Sequence, residues 1–362
     1  MSTQPFNVEI FDRSFNLIQH SNVGTLQYQY DYLSTTENSV LIEYNENVDK
    51  GQYIHLINNV DDYFGVICAI SVNEKEQGYS EIKYRPFISL FDSQIIFDTD
   101  LQGSNTTLEQ AIADYITAYW ISNADTAQNI PGLTVQTISN TKPWGFHITS
   151  DVQDLHYTNI NFMTSIIRRA LTKYRVGLYA VPNYTAKTIT LQIGTKSQGT
   201  VFNIEADLPS VMEKNVTINE NSEDVNKLYV FNQEDMQTSI IYYKHTDGTY
   251  DTTNADRITP VIYEIGSVLP TDDNPFADMA QDFADKTFDT ESYNNLIEIT
   301  VENDDALVVP SNLTIGQIVN VITNGSSYAS ILTGVERGTR TKLIYGTIRL
   351  ELTKILRRQR RT

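Results

Sequence analysis

The sequence predicts a β-rich α+β fold: two small antiparallel β-barrels flanking a mixed α/β domain, with a polar insertion. Three observations lead there. Runs of β-branched and aromatic residues, punctuated by Asn, Asp and Gly, fill the first hundred residues. Helical periodicity replaces this alternation after residue 105. Strand-like runs then return and continue to residue 352, interrupted by one polar stretch.

The first barrel is expected over residues 1–100, with strands at 7–12, 27–32, 39–44, 53–57, 62–70 and 81–90. Residues 101–205 form the α/β domain. Thr106 and Glu109 have capping-box spacing, in which hydroxyl and carboxylate each satisfy a free helix-end amide. Leu108, Ile112, Tyr115, Ile116 and Tyr119 then share one helix face. A second helix over about 159–174 buries Met163, Ile166, Ile167, Ala170, Leu171 and Tyr174. A hairpin follows, turning near Pro182. The second barrel takes residues 206–243 and 290–352. Between them, 244–289 is acidic and rich in turn formers, and reads as an inserted loop-rich subdomain. Residues 353–362 are a basic C-terminal tail.

Charge and composition exclude several functions. The 362 residues carry a net charge of −19. Nine basic and two acidic residues beyond position 335 give that end +7, leaving −26 on the body, which argues against a general nucleic-acid binder. Neither a signal peptide nor a membrane-spanning run is present. The single cysteine, Cys68, sits in an apolar run and is expected to pack in the core. Phosphate-binding loops, dinucleotide fingerprints, the metalloprotease motif and the nucleophile elbow are all missing. His20, His55, His147, His156 and His245 show no ligand spacing. His55 is expected to be a satisfied sheet residue, and the serines between Asn324 and Ser330 to belong to a turn. With 45 acidic residues, no pair can be singled out for glycosidase chemistry. Asp247, Asp251 and Asp256 lack the spacing of a calcium loop, so a solvated acidic loop is the plain reading and a calcium site the alternative. The expected catalytic, cofactor-binding and metal residues are therefore none. The basic tail (Lys354, Ile355, Leu356, Arg357, Arg358, Arg360, Arg361) reads as a solvated terminus, as a partner-docking segment, or as a nucleic-acid contact.

One resemblance is sharper. The segments at 295–301, 304–310, 313–319, 327–334 and 346–356 resemble the tail-tip hub proteins of long-tailed, non-contractile phages of Gram-positive bacteria, often called tail-associated lysins or prophage tail proteins. The middle region is also similar, at Pro131 to Val135 and from Lys173 to Leu178. The resemblance implies a non-enzymatic baseplate protein of the virion, made in the host cytoplasm and similar to the contractile-tail hub. It implies a homotrimer whose two barrels per chain meet the hexameric ring of the distal tail protein. It also implies contacts with tape-measure and receptor-binding proteins, DNA only as transported cargo, no cofactor and no membrane insertion. Longer relatives carry a wall hydrolase or fibre beyond this point, so a structural plug is expected. A host-surface carbohydrate-binding module and a cell-wall hydrolase are the alternatives.

Overall fold

The computed structural model describes residues 5–24, 26–32, 36–58, 61–72, 78–93, 95–96, 107–141, 160–196, 201–218, 225–246, 249–257, 259–271, 275–288, 295–303, 305, 308 and 313–346. It divides into two units, Met1–Ile218 with Asn295–Thr362, and Asn219–Asn294.

The first unit begins with β1 (Phe6–Phe11), β2 (Leu17–Val23), β3 (Tyr28–Asp31), β4 (Asn38–Glu43), β5 (Tyr53–Ile57), β6 (Asp62–Val72) and β7 (Tyr79–Pro86). Six of them make one antiparallel sheet in the order β2-β1-β5-β6-β7-β4. Alternation drives it: in β4, Asn38, Val40 and Ile42 are buried while Ser39, Leu41 and Glu43 are exposed. Val8, Ile10, Ile54, Leu56, Ile67, Ile82 and Tyr84 belong to its core. The outer strands approach each other, and Gln19 Nε2 donates to Glu43 O at 2.9 Å. Among the described residues no backbone ladder joins β2 to β4, so the sheet is a half-barrel rather than a closed barrel.

β3 departs from expectation. It does not join its sequence neighbours but pairs antiparallel with a strand three hundred residues away.

The middle region holds β8 (Ile95–Ile96), α1 (Leu108–Ile116), β9 (Leu133–Thr137), β10 (Ile160–Asn161), α2 (Arg168–Tyr174), β11 (Gly177–Asn183) and β12 (Thr188–Gly194). β11 and β12 form the expected hairpin, β9 adds to β12 in parallel, and β8 pairs with β10. Leu108, Ile112, Tyr115 and Ile116 are buried, as the helical spacing requires. The cap is shifted by one residue. Thr107 is the N-cap, accepting from Gln110 N–H, and Glu109 does not complete a capping box. The Glu109 side chain instead accepts from Ser139 Oγ at 2.6 Å and from Thr141 N–H and Oγ1. Burial pushes its carboxyl up, but these hydrogen bonds outweigh that and hold it below the ordinary range. The second predicted helix is a π-helical turn, Phe162–Ile167, running into α2.

The last sheet of this unit contains β13 (Phe202–Glu205) and β14 (Glu213–Ile218). The inserted unit then contributes β15 (Lys227–Asn232), β16 (Ser239–Lys244), β17 (Tyr250–Asp251), β18 (Tyr263–Val268) and α3 (Phe276–Thr287). The first unit resumes with β19 (Asn295–Val301), β20 (Ile318–Thr323), β21 (Ser326–Arg337) and β22 (Thr341–Gly346). Its sheet runs β13-β20-β21-β22-β19-β14, with β3 on β21. β21 is twelve residues long. Its first half pairs with β20 and its second half with β22, so the edge left free beyond the end of β20 is taken by β3. The predicted turn is the β20–β21 hairpin, with φ of 51° at Asn324 and 75° at Gly325, the pairing preferred in two-residue hairpins.

The insertion is larger than the sequence suggested. β15 and β16, expected in the second barrel, belong to the inserted unit. Its sheet runs β17-β16-β15-β18, and α3 packs on one face over Leu228, Val230, Tyr242 and Val268. Gly266 gives Phe283 room, since a Cβ there would lie 2.3 Å from the ring.

Candidate functional site

Each predicted site residue has a definite place. Cys68 is not in the core. It is the half-buried extra residue of a β-bulge in β6, where the register shifts between Ile67 and Ala69. Its thiol donates to Lys83 O at 3.2 Å, and burial together with the Glu37 carboxylate pushes its pKa up, the opposite of a nucleophile. His20 is exposed on β2. His245 Nε2 lies 3.0 Å from Asp251, whose carboxylate also takes Thr253 N–H. Asp256 adopts φ 46° beside them. His147, His156, Asp247 and the whole basic tail from Lys354 to Arg361 lie outside the described residues. Among the described residues no three His, Cys, Asp or Glu side chains are grouped to hold a metal, and no helix is long and apolar enough to cross a membrane. Ser330 is buried and donates to Asn295 Oδ1 at 2.7 Å, a structural bond.

What the structure does assemble is a junction between sheets, and sequence reasoning missed its residues. Tyr32 is fully buried at its centre. Its N–H donates to Thr333 O at 2.9 Å, and its phenol oxygen accepts Leu178 N–H at 2.9 Å. One residue thus touches the N-terminal segment, the β11–β12 hairpin and β21. Burial pushes its phenol far above the ordinary range. Beside it, Tyr179 Oη donates to Gly316 O at 3.3 Å. Arg337, where β21 meets β3, places Nε 2.8 Å from Asp61 Oδ1 in the β5–β6 turn, both side chains 11% exposed.

The hairpin tip makes a second clasp. Tyr184 stacks on His55 with ring centroids 4.5 Å apart and on Phe11 at 5.0 Å, with Phe15 and Phe64 edge-on. Lys187 Nζ reaches Asn16 Oδ1 at 2.6 Å. His55 is indeed a sheet residue, and both of its ring nitrogens face carboxylates. Its Nδ1 lies 3.0 Å from Glu9 and its Nε2 3.0 Å from Asp62. Burial alone would lower its pKa, but the hydrogen bonds to Asp62 and Glu9 outweigh that and raise it.

These arrangements hold backbone segments together and present no nucleophile beside a base. The fold that carries them is that of phage tail proteins. The chain matches a tail protein from Neisseria meningitidis (13% identity, 95% of this chain and 97% of that one, TM-score 0.52). It matches the 43 kDa tail protein of prophage MuSo2 from Shewanella oneidensis equally fully (13%, 95% and 98%, TM-score 0.53). It also matches a chain of the Francisella PdpA–VgrG complex (9%, 95% and 57%, TM-score 0.51). No protein-family profile matches the sequence, and no curated protein matches it.

Proposed function

We propose that this chain is a structural hub of a phage tail tip, with no catalytic role of its own. The observation that carries the reading is the fold match along 95% of the chain to two tail proteins that are themselves covered almost completely. In this reading the chain forms a homotrimer whose two β-rich sheets per subunit present six similar elements to the hexameric distal tail protein. Tape-measure and receptor-binding proteins are further neighbours, and DNA passes only as cargo during infection. A junction that ties three sheets through buried Tyr32 and the Arg337–Asp61 pair suits a rigid structural part. The net charge of −19 suits a conduit that must not retain the phosphate backbone it passes. The basic end, from Lys354 to Arg361, is proposed to dock on an acidic neighbour.

Light scattering on the chain alone and mixed with its cognate distal tail protein tests this. Three copies per six-subunit ring are expected. A chain that stays monomeric and never joins the ring contradicts the reading, as does a reconstruction whose lumen lining is net positive. Clearing of purified cell walls by the chain alone would overturn the non-catalytic assignment.

A further inference from the structure

A cleft of about 180 Å³ opens in the first unit between the β1–β2 turn, β5 and the segment that follows α1. Tyr53, Trp120, Leu90 and Ile130 contribute apolar surface, and Arg13 stands at the rim. Tyr53 and Trp120 are 2% and 7% exposed, packed against Phe15, Phe64 and Phe87 and against Phe91 and Phe162, so the small apolar surface they offer is fixed in place.

Arg13 is held in place by two devices. Asp12 closes the turn, taking Ser14 N–H and Asn16 N–H at 2.8 Å and Asn16 Nδ2 at 2.7 Å. That carboxylate serves the turn, not the guanidinium. Gly51, at φ 86°, then lets the guanidinium lie against its backbone. Arg13 Nε donates to Gly51 O at 3.3 Å, and a Cβ at Gly51 would meet Arg13 Nη2 at 2.5 Å. Among the described residues no carboxylate pairs with Arg13. Its planar fork matches a carboxylate or phosphate.

Two amides also line the cleft. Gln128 and Asn129 are fixed by Asn123: Gln128 Oε1 accepts from Asn123 Nδ2 at 3.1 Å, and Asn129 Oδ1 accepts Asn123 N–H at 2.8 Å. Gln128 Nε2 also donates to Asp125 Oδ2 at 3.5 Å and Asn129 Nδ2 to Asn123 O at 3.4 Å, which leaves each amide nitrogen one further N–H. A preformed apolar wall, two oriented amides and one guanidinium, in a space that admits about one ring, define the ligand's chemistry. We propose that this cleft binds a single anionic saccharide unit, a pyranose bearing a carboxylate or a phosphate. The charge would sit on Arg13 and the ring against the apolar wall. This inference does not depend on the tail-tip reading.

Saturation-transfer NMR on the full chain tests it with four probes: glucose, glucuronate, glucose 1-phosphate and inorganic phosphate. Saturable binding of at least one charged sugar is expected, with glucose and inorganic phosphate weaker by about tenfold or more. Arg13→Gln removes the cation, and Ala127→Phe fills the cleft from its exposed rim; each should weaken the charged sugar by about tenfold or more. Circular dichroism checks the fold of both variants, and if Ala127→Phe misfolds, Arg13→Gln decides alone. The proposal is overturned if no charged sugar saturates, if Arg13→Gln binds as the parent does, or if inorganic phosphate competes as well as glucose 1-phosphate.

Discussion

Replacing Tyr32 by Phe removes one oxygen and leaves the ring. In the parent that oxygen accepts Leu178 N–H at 2.9 Å, and Tyr32 and Leu178 are 0% and 1% exposed. Phe would leave the amide of Leu178 buried without its partner, which costs about 1–3 kcal/mol. At about 2–4 °C per kcal/mol for a domain of this size class, the midpoint should drop by several degrees. Tyr84 supplies the control. Its ring is equally buried, and among the described residues its hydroxyl has no hydrogen-bond partner. Tyr84→Phe should therefore be neutral or slightly stabilising. Urea denaturation of the parent and both variants gives the difference, and hydrogen exchange at the Leu178 amide localises it. If Tyr32→Phe and Tyr84→Phe shift stability equally, the junction argument fails.

Two further predictions concern charge. The folded pKa of His55 is raised, so its contribution is complete below the unfolded value near 6.5 and is lost as pH rises through the folded value. As pH rises above about 6.5, stability should fall more in the parent than in His55→Gln, and the imidazole resonances of His55 should titrate above 6.5; an equal pH slope in both proteins would refute the clasp. Arg337→Met leaves Asp61 without its cation but still bonded to Tyr28, and with both side chains only 11% exposed this should cost about 1–3 kcal/mol. Arg337→Met with Asp61→Leu should recover part of that loss in the same denaturation assay, whereas an additive result would mean that the pair is not coupled.

Local structure was legible where one period dominates. Alternation in β4 and the apolar face of α1 follow directly from residue spacing. Partner choice was not. β3 alternates like its neighbours, and its place on β21 depends on an edge that opens only because β20 is shorter than β21. β15 and β16 look like barrel strands because a sheet half-covered by α3 needs the same pattern as one wrapped on itself. Apolar residues on both sides of Cys68 hide the bulge that turns it out of the core. Glu109 has capping-box spacing, yet Ser139 and Thr141 compete for its carboxylate from outside the helix. In the junction, Tyr32 is one of 22 tyrosines, and nothing in its neighbourhood marks it. Arg13 escaped notice for a similar reason: its significance lies in Asp12 being occupied elsewhere.

The pairing of β3 with β21 also has a consequence for synthesis. Tyr30 is made about three hundred residues before its partner Val335. At about 5–20 residues per second, β3 waits roughly 15–60 s for the strand that covers it. Through that interval β3 lacks its ladder partner, and only Asn38 and the core around Tyr28 hold it to the first sheet. Collapse of β1, β5, β6 and β7 around their own core can proceed meanwhile, but the seam can close only after β21 has left the ribosome. Maturation of this fold is thus timed by the late arrival of one strand, and premature association of two nascent chains through β3 is the misassembly that such timing invites.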